Sequence, residues 1–431
     1  MTLLLQGGTV VDPSQDLDQV ELDLLIEGGS IADLGRIKPR PEWKVVDVRN
    51  LVVAPGFIDM HVHLREPGRE DKETIESGSK AAAAGGFTAI MCMPNTQPVN
   101  DNASITRYII EKSQHFNLTH VHPCGAISKG SRGQELAEIG EMVEAGAVAI
   151  SDDGSPVENP QLMRRALEYS RIFDIPVVDH CENPALAAGG CMNEGSTATW
   201  LGLPAMSRTA EELDVVRDVI LARVTGGHAH IAHLSTAESL DWIREARKRE
   251  IRVTCEVTPH HFILNDESIG SYDTNYKMNP PLRESSDIQA MLEGLQDGSI
   301  DCIATDHAPH TELEKDTTFM EAANGIIGME CAISLAWEFL VKKEIVSVSR
   351  LVELFSVNPS RILRLGKGTL KEGSIADITV IDPNRQVTVD VSSFQSKSRN
   401  SPFDGWKLQG APVMTIVAGR IVHQNLPPTV S

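Results

Sequence analysis

The chain has little of what marks several large classes of protein. Its seven cysteines are scattered, with no Cys-x-x-Cys pair, and aromatic residues make up only 4% of the sequence. The formal net charge of -21 at pH 7 argues against the basic face that a nucleic-acid surface requires. No apolar run approaches the roughly 18 residues of a membrane span, and the N-terminus lacks the basic residues of a signal peptide. We therefore expect a reduced, cytoplasmic protein that binds neither nucleic acid nor a membrane.

The order of patterns along the chain is that of one large α/β unit. From about residue 51, apolar strands alternate with amphipathic helices in eight successive strand–helix units. This repetition is typical of a (β/α)8 TIM barrel. A doubly wound open sheet would also alternate, but no G-x-G-x-x-G motif follows the first strand. The predicted barrel strands are Val52–His61, Thr88–Met93, His120–Ile127, Ala147–Ser151, Pro176–His180, His230–Leu234, Val253–Val257 and Cys302–Thr305.

Both ends of the chain carry the short β-like runs of a second, smaller unit. The first fifty residues alternate between apolar runs and Gly- or Asp-rich turns, and the pattern returns in GSIADITVIDP and VMTIVAGRIV. Each flank is too short to make a stable sheet of its own. We expect the flanks to pair into one small composite β domain, residues 1–52 plus 366–431, with the barrel at 53–365.

Histidines and acidic residues gather where the predicted barrel strands end. In PGFIDMHVHLREPG, His61, His63 and Arg65 occupy alternate positions and therefore share one face of the first strand. Barrel enzymes carry their chemistry at the carboxyl ends of the strands, which meet at one rim. Imidazole and carboxylate ligands without cysteine suit Zn²⁺, or Mn²⁺ and Co²⁺, in an open catalytic site. The other polar strand-end residues are Asn95, Asp152, Asp153, Asp179, His180, Glu182, His233, His260, His261, Asp306, His307 and His310.

Each of these side chains also has an ordinary structural role open to it. A single histidine at a strand end can anchor a loop, Asp before Gly is common in turns, and Asp306 could cap a helix. The convergence of several such residues on one rim is what predicts a metal site. The pattern does not separate Asp152 from Asp153, and we expect His260 and His261 to be wall or loop residues.

Strand alternation narrows the choice on two strands. On the sixth strand, the face that carries His233 excludes His228 and His230, which we expect to point into the barrel wall. On the eighth strand, Asp306 and His307 are neighbours and must point in opposite directions, so only one of them faces the mouth.

The motifs at these strand ends form a specific set, namely DMHVHLREPG, CMPNT, SDDGSPV, DHCEN, HIAHLST, MNPPLR and ATDHAPH. Together they resemble the amidohydrolase superfamily, and within it the dihydroorotases of the bacterial zinc type, over essentially the whole chain. The resemblance implies one or two Zn²⁺ ions per chain, held by His61, His63, Asp153, His180, His233 and Asp306. It implies that Asp306 is also the catalytic acid/base. It further implies that the substrate is bound by His63, Arg65, Asn95, Asn279, His310, Asn324 and Gly325.

Two features set the chain apart within that superfamily. Hydantoinases, dihydropyrimidinases and other dihydroorotases carry a carboxylated lysine on the fourth strand, but no lysine lies between Lys129 and Lys248 here. The resemblance therefore implies that Asp153 bridges the metals, or that only one ion is held firmly. The family often has Pro-Gly where this chain has Asn324 and Gly325, so the chain departs from the pattern in that substrate loop.

The resemblance implies a reaction, the interconversion of N-carbamoyl-L-aspartate and L-dihydroorotate in pyrimidine biosynthesis. Metal-bound hydroxide, available at neutral pH, would attack the ring carbonyl. Two other functions stay open, namely another cyclic amidohydrolase (an allantoinase or hydantoinase) and a non-enzymatic assembly scaffold. A scaffold would have lost ligands, whereas this chain keeps every one. A homodimer and a complex with aspartate carbamoyltransferase, which some relatives form, are also left open.

Overall fold

The computed structural model describes residues 2–426, in which eighteen strands form three sheets. Apolar and β-branched residues dominate the longer strands, as the pleated and half-buried surface of a sheet favours. The strands are β1 (Leu3–Asp12), β2 (Leu17–Glu27), β3 (Ser30–Gly35), β4 (Lys44–Asp47), β5 (Val52–Pro55), β6 (Phe57–Val62), β7 (Phe87–Cys92), β8 (His120–Gly125), β9 (Ala149–Ile150), β10 (Val177–Asp179), β11 (Met192–Asn193), β12 (Ala205–Met206), β13 (Ala229–Ile231), β14 (Val253–Val257), β15 (Cys302–Ile303), β16 (Ile378–Thr388), β17 (Lys407–Val417) and β18 (Arg420–Gln424).

Several helices begin and end at residues that satisfy their free backbone groups. In α4, for example, the Asn159 side chain accepts a hydrogen bond from the backbone N–H of Gln161, and Asp174 ends the helix in a left-handed conformation. None of the helices within residues 2–426 is both long and apolar enough to cross a membrane. The helices are α1 (Ile75–Gly85), α2 (Ala103–Phe116), α3 (Ile139–Glu144), α4 (Pro160–Phe173), α5 (Pro184–Ala187), α6 (Ser196–Leu201), α7 (Thr209–Thr225), α8 (Ala237–Lys248), α9 (Pro259–Ile263), α10 (Ser285–Asp297), α11 (Glu312–Lys315), α12 (Ala332–Ala336), α13 (Val348–Val352) and α14 (Asn358–Ile362).

Eight parallel strands, β6 to β10 and β13 to β15, form the barrel. They are hydrogen-bonded in chain order, and the two ends of the sheet meet where the backbone N–H of His63 donates to the carbonyl of His307 at 2.8 Å. Small and sulfur-containing side chains fill the interior, among them Met60, Met91 and Cys302. The predicted (β/α)8 barrel is confirmed, and all carboxyl strand ends meet at one mouth.

The second large sheet draws its strands from both ends of the chain. Its order is β18-β17-β16-β5-β1-β2-β3, with β4 paired to β1. A buried apolar cluster that includes Leu3, Leu24, Ile378 and Ile416 lies against it. The predicted domain bounds stay a prediction. Strand β5 spans the predicted boundary between residues 52 and 53, and its residues pair within the terminal sheet.

The predicted first barrel strand, Val52–His61, is wrong as a single strand. The chain breaks at Gly56, which leaves β5 in the terminal sheet and β6 in the barrel. The break requires glycine, since a Cβ atom at Gly56 would lie 2.1 Å from the hydroxyl oxygen of Thr88. The backbone N–H of Gly56 donates instead to the carbonyl of Asp377, at 2.8 Å. Gly56 is therefore the point where the two sheets separate.

Candidate active site

The six predicted metal ligands lie together at the barrel mouth, with Asp153 at their centre. Its Oδ1 atom is 3.3 Å from Nε2 of His61, 3.4 Å from Nε2 of His233 and 3.6 Å from Nδ1 of His180. Its Oδ2 atom is 3.4 Å from Nε2 of His63. One carboxylate thus contacts histidines that lie at the ends of three different strands, which is the arrangement that a bridging ligand needs.

Asp306 completes the cluster from the eighth strand. Its Oδ1 atom lies 3.0 Å from Nε2 of His63 and 3.6 Å from Nε2 of His61. On the opposite side of the cluster, Nδ1 of His180 and Nε2 of His233 are 2.8 Å apart. Burial alone would raise the pKa of Asp306, but His63 and His61 lower it, so the carboxylate is ionised at neutral pH.

The cluster fits a divalent metal ion. Within the described part of the chain, Nε2 of His61 and Oδ1 of Asp153 are buried without a hydrogen-bond partner. Ligand atoms of His61, His63 and Asp306 lie within 4.8 Å of one another, and so do those of His61, Asp153 and His233. Buried polar atoms are rarely left unpaired, and imidazole with carboxylate is a donor set that zinc accepts. The residues present can therefore hold a metal.

Backbone strain brings three of the site residues into place. Arg65, His233 and Asp306 have left-handed φ angles of 61°, 32° and 47°. L-residues seldom adopt such angles, which cost free energy and are concentrated at functional sites. These positions follow the last regular residues of their strands, where the chain can turn without breaking the sheet.

The alternation argument for the sixth strand was wrong in its premise. Ala232 packs among the interior side chains of the barrel, so the even-numbered positions, and not the odd ones, face inward. His230 accordingly lies inside the barrel, with Nε2 at 3.3 Å from Oε2 of Glu256, and not in the wall. His233 reaches the mouth because its left-handed backbone turns the chain after β13.

Glu256 is a site residue that the sequence argument missed. From β14 its Oε1 atom lies 2.7 Å from Nδ1 of His61, beneath the cluster. Burial raises the pKa of this carboxyl, but hydrogen bonds from His230 and His61 lower it to about 2. Because Nδ1–H of His61 donates to Glu256, its Nε2 lone pair is free to face the cluster. The sequence does contain a signal for this residue, since a glutamate inside an otherwise apolar strand indicates a buried charge with a partner.

Arg65 and His310 lie side by side at the mouth, as the predicted carboxylate clamp requires. The Nε–H of Arg65 donates to the carbonyl of Pro309 at 3.2 Å, and one terminal nitrogen is 3.5 Å from Nε2 of His310. Burial lowers the pKa of Arg65 to about 10, which leaves the guanidinium charged at neutral pH. Burial, together with Arg65 and Lys72, lowers the pKa of His310 to about 3, so this imidazole is neutral.

The two predicted substrate amides contact histidines of the cluster. Oδ1 of Asn95 accepts a hydrogen bond from Nδ1 of His63 at 2.9 Å. Nδ2 of Asn279 donates to Oε2 of Glu182 at 2.6 Å and lies 3.2 Å from Nε2 of His180. Each amide therefore orients a predicted metal ligand, and Oδ1 of Asn279 is left without a hydrogen-bond partner among the described residues.

The predicted substrate loop lies against His310. Nε2–H of His310 donates to the backbone carbonyl of Asn324 at 2.8 Å. Gly325 has a φ of 123°, and a Cβ atom there would lie 2.6 Å from Cβ of Ala308. The constraint on this loop lies at the glycine. The chain keeps that glycine, although Asn324 stands where the family often has proline.

Several strand-end residues have structural partners instead. Asp152 accepts hydrogen bonds from the backbone N–H groups of Ile127 and Ser128 at 2.9 and 3.1 Å, which separates it from Asp153. His307 points away from the mouth, toward Glu73 at 3.3 Å, as its position next to Asp306 predicted.

Local contacts give His261 a loop role and exclude one alternative for Asp306. His261 lies 3.0 Å from the carbonyl of Pro280 and holds that loop, whereas Nε2 of the buried His260 has no partner among residues 2–426. Helix α11 is capped by the side chain of Thr311, so Asp306 is not its cap.

Comparisons with known proteins agree with this geometry. The family model described as Dihydro-orotase-like matches residues 50–239. The chain is 52% identical to a dihydroorotase of Geobacter metallireducens and 52% identical to one of Pelobacter propionicus, covering 99% of this chain and 100% of each relative. The chain belongs to the dihydroorotase family. The predicted membership is thereby confirmed.

Solved structures similar to this dihydroorotase family member are more distant in sequence. An L-hydantoinase (dihydropyrimidinase) from Arthrobacter aurescens superposes with a TM-score of 0.89 and is 25% identical, over 100% of this chain and 97% of that one. A D-hydantoinase has a TM-score of 0.84 at 22% identity, over 99% and 96% of the two chains. The second likeness shows the shared fold alone.

Proposed function

We propose that this member of the dihydroorotase family catalyses the reversible ring closure of N-carbamoyl-L-aspartate to L-dihydroorotate, with zinc as its metal. The observation that carries the proposal is the position of the buried Asp153, whose oxygens lie within 3.6 Å of four histidines, beside a clamp of Arg65 and His310. A metal cluster next to a fixed cation is what a cyclic amide bearing a carboxylate requires.

One or two zinc ions are proposed for the cluster. His61, His63 and Asp306 would hold the first ion, and His180 and His233 the second, with Asp153 between them. The bridging role replaces the lysine that is absent from the fourth strand. When bound, zinc supplies Lewis acidity, which lowers the pKa of water and polarises a ring carbonyl.

The protein side chains supply the rest of the chemistry. Arg65 binds the substrate carboxylate through two parallel N–H groups, which lysine cannot reproduce. Asp306, ionised at neutral pH, takes a proton from the attacking water and delivers it to the departing ring nitrogen. In the biosynthetic direction the same proton moves back. Asn95 and Asn279 keep His63 and His180 in the required orientation.

Two measurements on one preparation test the proposal. Elemental analysis of protein purified without added metal should give one or two zinc ions per chain, and the same protein should hydrolyse dihydroorotate. Hydantoin, allantoin and dihydrouracil should be poor substrates, because they lack the carboxylate that Arg65 is proposed to bind. Activity with less than half an equivalent of any transition metal, or a preference for hydantoin, would overturn the proposal.

The compartment and partners are also proposed. All seven cysteines are buried and free, which is the state expected in the reducing cytoplasm. A homodimer and a complex with aspartate carbamoyltransferase are supported by the family resemblance alone. Light scattering of the purified chain, alone and mixed with the carbamoyltransferase of the same organism, would decide both.

A further inference from the structure

A segment of the C-terminal part of the chain lies on the barrel mouth. Residues 395–400, which we call the strap, lie within the connection between β16 and β17 and depart from the terminal sheet to reach the loops of the barrel. Within the strap, Lys397 N–H donates to Oε1 of Glu73 at 3.2 Å, and the Ser398 hydroxyl donates to the carbonyl of Lys72 at 2.9 Å. The strap is thus fastened to the loop that follows the first barrel strand.

Asn400, the last residue of the strap, uses its whole side-chain amide to join two other loops. Its Nδ2 group donates to the carbonyls of Ala308 at 3.0 Å and Gly325 at 3.1 Å. Its Oδ1 atom accepts from the backbone N–H of His310 at 3.2 Å. Its own carbonyl accepts from Ile327 N–H at 2.9 Å, and the residue is 5% exposed. Among residue types of this size, only asparagine offers both two N–H donors and a carbonyl acceptor in one side chain.

The two loops that Asn400 joins are those proposed to bind the substrate carboxylate. One carries His310, beside Arg65, and the other carries Asn324 and Gly325. The loops also contact each other directly, since Ala308 N–H donates to the carbonyl of Ile326 at 2.8 Å. To these direct contacts between the loops, the side chain of Asn400 adds three hydrogen bonds.

We propose that Asn400 is a positioning residue for the substrate clamp, so that the strap from outside the barrel completes the binding pocket. Asn400 acts through His310 and Gly325 and touches no reacting atom. The proposal rests on the proposed function for the identity of the clamped group, but the placement of the loops by Asn400 does not depend on it. Lys315 holds the second loop independently, with Nζ at 3.0 Å from the carbonyl of Gly325. Loss of Asn400 should hence loosen the loops without unfolding them.

Two variants and one control test the proposal. Asn400→Ala removes all three side-chain bonds, and Asn400→Asp keeps the acceptor for His310 but loses both donors. Ser401→Ala is the matched control, because Ser401 is equally buried and its hydroxyl accepts only a long 3.5 Å contact from Phe403 N–H in the described structure. Each protein is measured for zinc content, melting temperature, steady-state kinetics with dihydroorotate, and amide hydrogen exchange.

Both Asn400 variants should raise KM for dihydroorotate roughly tenfold, as the loss of more than one hydrogen bond predicts. The kcat value and the zinc content should stay near those of the wild type. Exchange at the amides of Ala308 and His310 and of residues 324–327 should become at least several-fold faster in both variants and in neither loop of Ser401→Ala. Such a split between KM and kcat is not expected from a general loss of stability.

The exchange measurement separates the two proposals. If the wild type does not hydrolyse dihydroorotate, the proposed function fails, and faster exchange in both loops still supports positioning by Asn400. Unchanged exchange would overturn the positioning role, whatever the kinetics. Faster exchange with an unchanged KM in an active enzyme would overturn the link between Asn400 and the substrate clamp.

Discussion

Oε1 of Glu256 lies 2.7 Å from Nδ1 of His61, and both side chains are fully buried. The second carboxylate oxygen lies 3.3 Å from Nε2 of His230, so one glutamate joins a predicted metal ligand to a histidine of the barrel interior. Burying a carboxylate in a barrel core is costly unless it is paired and hydrogen-bonded. We infer that Glu256 fixes the tautomer and direction of His61.

This relationship predicts the effect of Glu256→Gln on metal binding. Glutamine can still accept from His61, but its amide N–H₂ would face Nε2–H of His230, and the negative charge of the carboxylate is lost. Removing such a partner typically costs about 10- to 100-fold in metal affinity, so we expect a loss of that size in chelator competition on metal-depleted protein. Glu245→Gln, at a half-buried glutamate of α8 that pairs with Arg249 away from the site, is the control. Equal affinity in all three proteins would refute the orienting role.

Arg65→Lys tests the proposed substrate clamp. Lysine keeps the charge but cannot form two parallel hydrogen bonds to one carboxylate. A charge-assisted contact of this kind is worth roughly 1.5 to 3 kcal/mol, so KM for dihydroorotate should rise about tenfold to a hundredfold. Zinc content should not change. Arg69→Lys is the matched control, because Arg69 lies in the same loop and pairs with Glu314 at 3.2 Å. An unaltered KM in Arg65→Lys would remove the guanidinium from the substrate site.

The lowered pKa of Asp377, which lies where the terminal sheet meets the barrel, predicts how the free energy of unfolding depends on pH. Burial raises the pKa of Asp377, but hydrogen bonds and charge from His120 and Lys367 lower it to about 2, from 3.8. A depressed carboxyl pKa contributes stability that is present above about pH 4 and is lost as the pH falls toward 2. The shift corresponds to about 2 kcal/mol at pH 7 and about half of that near pH 3.

Urea unfolding of Asp377→Asn at pH 7 and pH 3, with metal content held constant, measures this contribution. The variant should be less stable than the wild type at pH 7, and the difference should shrink at pH 3. Asp382→Asn serves as the control, since Asp382 lies in β16, the strand that begins directly after Asp377, and accepts from the nearby Asn384 N–H. A difference in unfolding free energy that is the same at both pH values would show that Asp377 acts through packing and not through its charge.

The alternation of strands and helices predicted the barrel because it reflects local periodicity, which the sequence displays directly. The break at Gly56 was missed, since the apolar run continues through β5 and β6 and only the position of Thr88 requires the separation. His233 shows the limit of alternation at strand ends. Its φ is 32°, and no pattern in HIAHLST predicts this left-handed conformation.

The candidate site was predicted mainly from motifs, and its supporting residues were not. His61 and Asp306 stand in specific motifs at strand ends, whereas Glu256 and Asn400 stand in a strand and in a loop far along the chain. Their importance comes from contacts that only the folded chain creates. A buried charge within an apolar strand is a usable signal, but an asparagine in a polar loop gives none.

Asp306→Asn tests the proposed proton transfer. Asparagine keeps the size and one oxygen that can coordinate a metal, but it cannot carry a proton between water and the ring nitrogen. General acid–base catalysis by one group is typically worth 10²- to 10⁴-fold, so kcat should fall by at least roughly a hundredfold in both directions. KM and zinc content should change much less, because Arg65 and the four histidines are untouched.

Asp306 has a left-handed backbone conformation, which asparagine also tolerates, so the variant should fold. The values of kcat, zinc content and melting temperature are measured on the same preparation. A variant that lost zinc together with activity would show that Asp306 acts as a ligand, with no separate evidence for proton transfer. A variant with normal zinc and near-normal kcat would exclude Asp306 from the chemistry. Full zinc with a hundredfold lower kcat assigns the proton to Asp306, since its position 3.0 Å from His63 then serves catalysis and not only metal binding.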